Sequence, residues 1–116
     1  MEPFPGPLGG RLLVRDDGPV LHVRLEGAVD LDVRERDSPA LWSALARAHA
    51  SVVEIDAGAV TFLDSSGLSV IVRLARDAAQ LGLPVRLVST SERVDDLLAM
   101  TGVREWMAGL ADPGRG

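Results

Sequence analysis

Between residues 20 and 26 the chain alternates, with Leu21, Val23 and Leu25 on one side of an extended backbone and Val20, His22, Arg24 and Glu26 on the other. That is the period of a strand with one buried face. Residues 11–15 form a second strand-like run, and Asp16, Asp17, Gly18 and Pro19 between the two supply the turn chemistry of a β-hairpin. After Gly27 a polar stretch to Asp37 breaks the pattern. Ser38 then offers an N-cap, Pro39 suits a first turn, and Leu41, Ala44, Leu45 and Ala48 make the apolar stripe of a helix to about Ala50. Residues 51–57 carry Val52, Val53 and Ile55, a short β-branched run that predicts a buried strand, and residues 58–64 lead out of it. From Ser66 to Leu81 the spacing of Leu68, Ile71, Val72, Ala75 and Ala79 is helical, and Gly82 supplies the stop. Residues 84–88 read as another strand. Ser89, three residues before Glu92, predicts a capping box for a helix through Met100 that Gly102 ends, and residues 103–107 are expected to add a last short strand.

Once strands and helices alternate, short connections imply parallel strands joined by right-handed crossovers. The expected fold is therefore one α/β domain with a mixed β-sheet: an N-terminal antiparallel hairpin, then parallel βαβ units, with the helices mainly on one face. The strand after the first helix should sit centrally, because its β-branched residues suit a position covered on both edges. Residues 1–10, with three prolines and three glycines, read as a flexible lead-in; residues 11–110 form the domain and residues 111–116 a flexible tail.

Composition narrows the chemistry. A chain of 116 residues with 47% hydrophobic and 25% charged content suits a single globular domain. Zero cysteines exclude zinc-cysteine sites, iron-sulfur clusters, thiol nucleophiles and disulfides. A net charge of −5 is opposite in sign to the surface that binds phosphate backbones, and with no Tyr, two Trp and two Phe there is little to stack on bases. Direct nucleic-acid binding is not expected. No apolar run approaches the length of a membrane span and no signal pattern opens the chain, so no membrane insertion and a cytoplasmic location are expected.

Candidate chemistry concentrates where the third strand hands over to the second helix. Val60-Thr61-Phe62-Leu63-Asp64-Ser65-Ser66-Gly67-Leu68 places one carboxylate and two hydroxyls there. The plain reading is helix capping, with Ser66 as the cap. The functional reading is a phosphate held by, or attached at, the helix start. A serine hydrolase is excluded by motif: the nucleophile turn needs glycine two residues before the serine, where Leu63 stands relative to Ser65 and Asp64 relative to Ser66. No general base is in view either, since His22 falls on the hairpin and His49 at a helix end. Asp30 and Asp32 lack the glycine and terminal glutamate of a calcium loop, and Gly6, Gly9 and Gly10 lack the Lys-Ser/Thr of a phosphate loop. Arg73, Arg76, Glu92 and Arg93 read as solvent-facing. The expectation is a binding module, not an enzyme, with no cofactor and no metal.

The order of parts carries more than any one of them. A hairpin, then Gly27-Ala28-Val29-Asp30, then a strand feeding Asp64-Ser65-Ser66-Gly67-Leu68, then Ala99-Met100-Thr101-Gly102-Val103 after the last long helix, resembles the STAS domain family, and within it the bacterial anti-sigma factor antagonists. The resemblance spans residues 11–107. It implies a protein that binds an anti-sigma factor of the serine kinase type and is switched off when that kinase phosphorylates a serine, here Ser65, with a phosphatase for reset. By the same resemblance Asp30 lies near Ser65, and Asp30, Asp64, Ser66, Gly67 and Ser69 support the phosphosite or the partner contact; Asp30→Ala is expected to leave stability nearly intact. The chain departs from such antagonists at Ser69, where glycine is common, and in the highly charged stretch from Asp32 to Asp37. Other roles open to the family are a subunit of a stress-signalling assembly, a partner of a transport system, or a nucleotide-binding domain.

Overall fold

In the computed structural model, which describes residues 9–110, the alternating run becomes the second strand of a hairpin. Strands β1 (Arg11–Asp17) and β2 (Val20–Val29) pair antiparallel, with Asp17 opposite Val20 across the two-residue loop Gly18-Pro19. Gly18 has φ 74°, the positive value that lets such a loop match the twist of its strands. Helix α1 (Leu31–Arg47), strand β3 (Val52–Leu63), helix α2 (Ser65–Gln80), strand β4 (Val85–Thr90) and helices α3 (Glu92–Thr101) and α4 (Val103–Leu110) follow.

The sheet order is β1-β2-β3-β4, with β2, β3 and β4 parallel. β3 is thus hydrogen-bonded along both edges, as its β-branched residues predicted. Val53 stands opposite Leu21 and Val85, and Ile55 opposite Val23 and Leu87. Leu21, Val23, Leu25, Val53, Ile55 and Ala57 project into the core with Leu41, Ile71, Leu74 and Leu98 from the helices, and all are buried. Their neighbours His22, Arg24, Glu54 and Asp56 face the other way and stay partly open, joined by ion pairs such as Arg24–Asp56 at 3.7 Å. The helices therefore cover one face.

Four sequence readings are corrected. α1 starts at Leu31, not at Ser38, because Asp30 caps it and Val33, Leu41 and Leu45 carry its buried face through the polar stretch. Ser38 is buried inside the helix and Pro39, an interior proline that breaks most helices, sits on its exposed face, so packing overrides local propensity. β3 runs on to Leu63 because Glu26, Gly27, Ala28 and Val29 keep pairing with it; register shifts in this stretch erased the two-residue period that would have shown it. The cap of α3 is Ser91, whose hydroxyl accepts from Val94 N–H, while Ser89 belongs to β4. Residues 103–107 are helical, since Val103, Met107 and Leu110 fall on one helical face and Met107 is buried. Gly102 ends α3 as expected, with φ 78°.

Of the expected lead-in, Gly9 and Gly10 are described, and Gly10 is buried: a Cβ there would stand 1.8 Å from the Ala28 carbonyl oxygen. Residues 1–8 and the tail at 111–116 lie outside the described residues. The edge strand β1 is pinned to α1 by Asp37, which accepts from Leu12 N–H at 2.9 Å and from Arg36 Nε at 2.7 Å, while Arg36 Nη2 donates to the Gly10 carbonyl at 2.7 Å. The Arg36 hydrogen bond, aided by the Leu12 N–H, holds the Asp37 carboxyl below its ordinary range against the opposing effect of burial.

Two outcomes follow from this packing. Val53→Asp puts an unpaired carboxylate at a fully buried central position, a cost on the order of 4 kcal/mol, so its cooperative melt by circular dichroism should be lost or strongly lowered. Asp37→Ala should cost about 1–2 kcal/mol at pH 7 by stranding the Leu12 N–H. Because the folded-state value is depressed, that contribution is present above the unfolded aspartate value of about 4 and lost as pH falls through the folded one. Urea midpoints of wild type and Asp37→Ala should therefore draw together as the pH is lowered below the ordinary aspartate range.

Candidate functional site

Register brings the two candidate carboxylates together. Val29, the last residue of β2, stands opposite Leu63, the last of β3. The next residues, Asp30 and Asp64, are therefore neighbours at the carboxyl ends of two parallel strands, where open α/β sheets commonly bind their ligands. Each begins a helix. Asp30 Oδ1 accepts from Val33 N–H at 3.1 Å and Asp64 Oδ1 accepts from Gly67 N–H at 2.9 Å. Both have the extended backbone of an N-cap, and a carboxylate there also meets the positive end of the helix dipole.

Ser66 is accordingly not the cap of α2. It lies inside the first turn, half-buried, and its carbonyl accepts from the Ser69 hydroxyl at 2.6 Å. The cap, Asp64, lies two residues before the serine expected to fill that role. Ser65 is the first residue of the helix and exposed, and among the described residues none hydrogen-bonds its hydroxyl. Gly67 is buried where α2 crosses the end of β2: a Cβ would stand 2.3 Å from the Val29 carbonyl oxygen and 2.6 Å from Leu63 Cδ1. Only glycine admits that approach, so Gly67 sets how deeply the first turn of α2 seats.

A groove of about 600 Å³ runs between α1 and α2, lined by Ser65, Ser69 and Arg73 on one side and Arg34, Ser38 and Trp42 on the other. Arg34 spans it, with Nη1 donating to Ser69 Oγ at 3.3 Å and Nε donating to Glu35 Oε2 at 3.1 Å. Arg73 stacks over the Trp42 ring, 4.1 Å from its centroid, and bonds Asp77. Neither histidine lines the groove; His22 lies on the open sheet face between Asp17 and Glu54, 3.7 Å from each. Exposed Leu31 and Phe62 border the same end of the molecule, with Arg93 over the Phe62 ring. Arg34 and Trp42 escaped sequence reading. The helical spacing of Ser65, Ser69 and Arg73 was a signal for their half of the groove, but the other half comes from a helix whose first turns looked like a loop.

Fold and site together define a single α/β domain whose candidate site is a pair of capped helix starts beside one exposed hydroxyl. The chain belongs to the STAS domain family, whose model matches residues 11–112. No curated protein matches it. STAS domains act generally by binding other proteins, and their proteins are generally regulators and not enzymes. No helix among the described residues is long and apolar enough to cross a membrane.

The caps predict a ranking in stability. Asp64→Ala should cost about 1 kcal/mol in urea unfolding, and so should Asp30→Ala, in place of the nearly unchanged stability expected from the sequence, because Asp30 caps α1; Ser66→Ala should cost a few tenths. A larger loss for Ser66→Ala than for Asp64→Ala would reverse the assignment.

Proposed function

We propose that this protein is an anti-sigma factor antagonist: unmodified, it binds an anti-sigma factor of the serine kinase type and so frees a sigma factor, and phosphorylation of Ser65 by that kinase ends the binding. The observation that carries the reading is the exposed Ser65 hydroxyl, left unbonded among the described residues because Asp64 caps the helix in its place. A kinase can reach such a hydroxyl without unfolding the turn. Leu31 and Phe62, exposed close to the same strand ends, offer apolar contact to a partner, while Asp30, Asp64, Ser66, Gly67 and Ser69 support the phosphosite or that contact. A phosphatase resets the switch, and the protein works in the cytoplasm.

Phosphate adds about 1.5–2 negative charges. Asp30 and Asp64 already make this end acidic. Burying a doubly charged group there against a docked partner costs about 3 kcal/mol, near a hundredfold in affinity, enough to release the partner without refolding.

Incubation with a kinase-type anti-sigma factor and ATP, followed by mass spectrometry, should locate phosphate on Ser65. Calorimetry should show that Ser65→Ala binds but is not released on addition of ATP, and that Ser65→Asp binds poorly. Phosphate found on Ser66, or equal affinity of the modified and unmodified chains, would falsify the reading.

A further inference from the structure

Ser65 and Ser69 are four residues apart on α2 and so share a face, separated by about one helical turn of 5.4 Å. Arg34, reaching across from α1, already touches Ser69 Oγ at 3.3 Å, and all three side chains line one groove. Ser65 thus lies one turn along α2 from a residue that Arg34 already contacts, on the wall of the same groove. A phosphoryl group carries acceptor oxygens beyond Oγ and so extends the reach of the Ser65 side chain.

We infer that a phosphoryl group on Ser65 is gripped by Arg34, so that modification ties α1 to α2 across the groove; this rests on Ser65 being the modified residue. The present partners of Arg34 are weak competitors. Glu35 is its neighbour in sequence, with a side chain 66% exposed, so water screens the pair, and Ser69 is neutral. A phosphate dianion offers a bidentate, charge-assisted acceptor that the planar guanidinium fits better than either. The other cations of the groove already share a less exposed carboxylate: Arg73 and Arg76 both bond Asp77, and Arg73 also stacks over the Trp42 ring. Arg34 is the groove cation whose carboxylate partner, Glu35, is the most exposed to water. Gripping also withdraws it from the surface a partner meets, so one covalent change alters charge on both sides of the groove.

The test uses the full chain with phosphoserine installed at position 65 during translation, so that no kinase is involved. Phosphorus NMR follows the second ionisation of the phosphoserine, ordinarily near pH 6. A nearby guanidinium favours the dianion, so the midpoint in the wild-type background should lie about 0.5 pH unit or more below that in Arg34→Gln, with Arg34→Lys between. The melting temperature gained on phosphorylation should likewise shrink in Arg34→Gln. Should Arg34→Gln fail to fold, the Arg34→Lys comparison carries the test, since lysine keeps the charge but not the fork. Coincident midpoints overturn the grip and leave the functional reading standing. A shift that vanishes in Arg34→Gln supports the grip even where a kinase fails to modify Ser65, a failure that counts against the functional reading alone.

Discussion

Parallel pairing of β2 with β3 puts Val29 opposite Leu63, and the positions of Asp30, Asp64 and Ser65 follow from that register. Both strands point the same way, so both hand over to helices at the same end of the sheet. Each helix then begins with unsatisfied N–H groups, and each meets an aspartate that accepts one of them. Gly67 completes the arrangement by letting the first turn of α2 press against the Val29 carbonyl. A shift of one residue in the pairing would turn the core face of β2 toward solvent and move the two caps apart. The site is therefore held by the same hydrogen bonds that hold the sheet.

With Asp64 engaged by a backbone N–H, Ser65 has no capping duty. An exposed hydroxyl with no structural task can be modified without loss of fold, which is what the proposed switch requires. Near it lie a groove with arginines and carboxylates tied up at helix starts, and Leu31 and Phe62 are exposed close to the same strand ends. The histidines lie elsewhere, His22 among carboxylates on the uncovered face of the sheet.

Arginines divide into two kinds. Those on the open sheet face and along α2 pair with nearby carboxylates in water and add little stability. Arg36 instead works with Asp37 to fasten the start of β1 to α1, giving an edge strand a second anchor besides its ladder with β2. Arg34, on the same helix, faces the groove. The charged stretch before Ser38 is thus an ordered helix with a task on each side.

Much of the fold was legible because local pattern and final packing agree. The alternation of Leu21, Val23 and Leu25, the β-branched run at Val52, Val53 and Ile55, the helical spacing through α2, and the glycine stops at Gly82 and Gly102 each have a period or a backbone requirement that few alternatives share. The Asp64-Ser65-Ser66-Gly67 segment was legible as a helix start for the same reason. What the sequence could not convey were features made by partners distant along the chain. The first half of α1 looks like a loop because only Val33 and the Asp37 carboxylate turn inward there, and Pro39 argues against a helix that packing nonetheless keeps. The second half of β3 is a strand because β2 pairs with it, through register shifts that erase the two-residue period. The choice of Asp64 over Ser66 as cap depends on a backbone angle, and the α1–α2 groove exists only once the sheet has set the two helices side by side. Periodicity along the chain determined the elements; their exact limits and the groove belong to the tertiary structure, because contacts between distant residues decide which local preferences are kept.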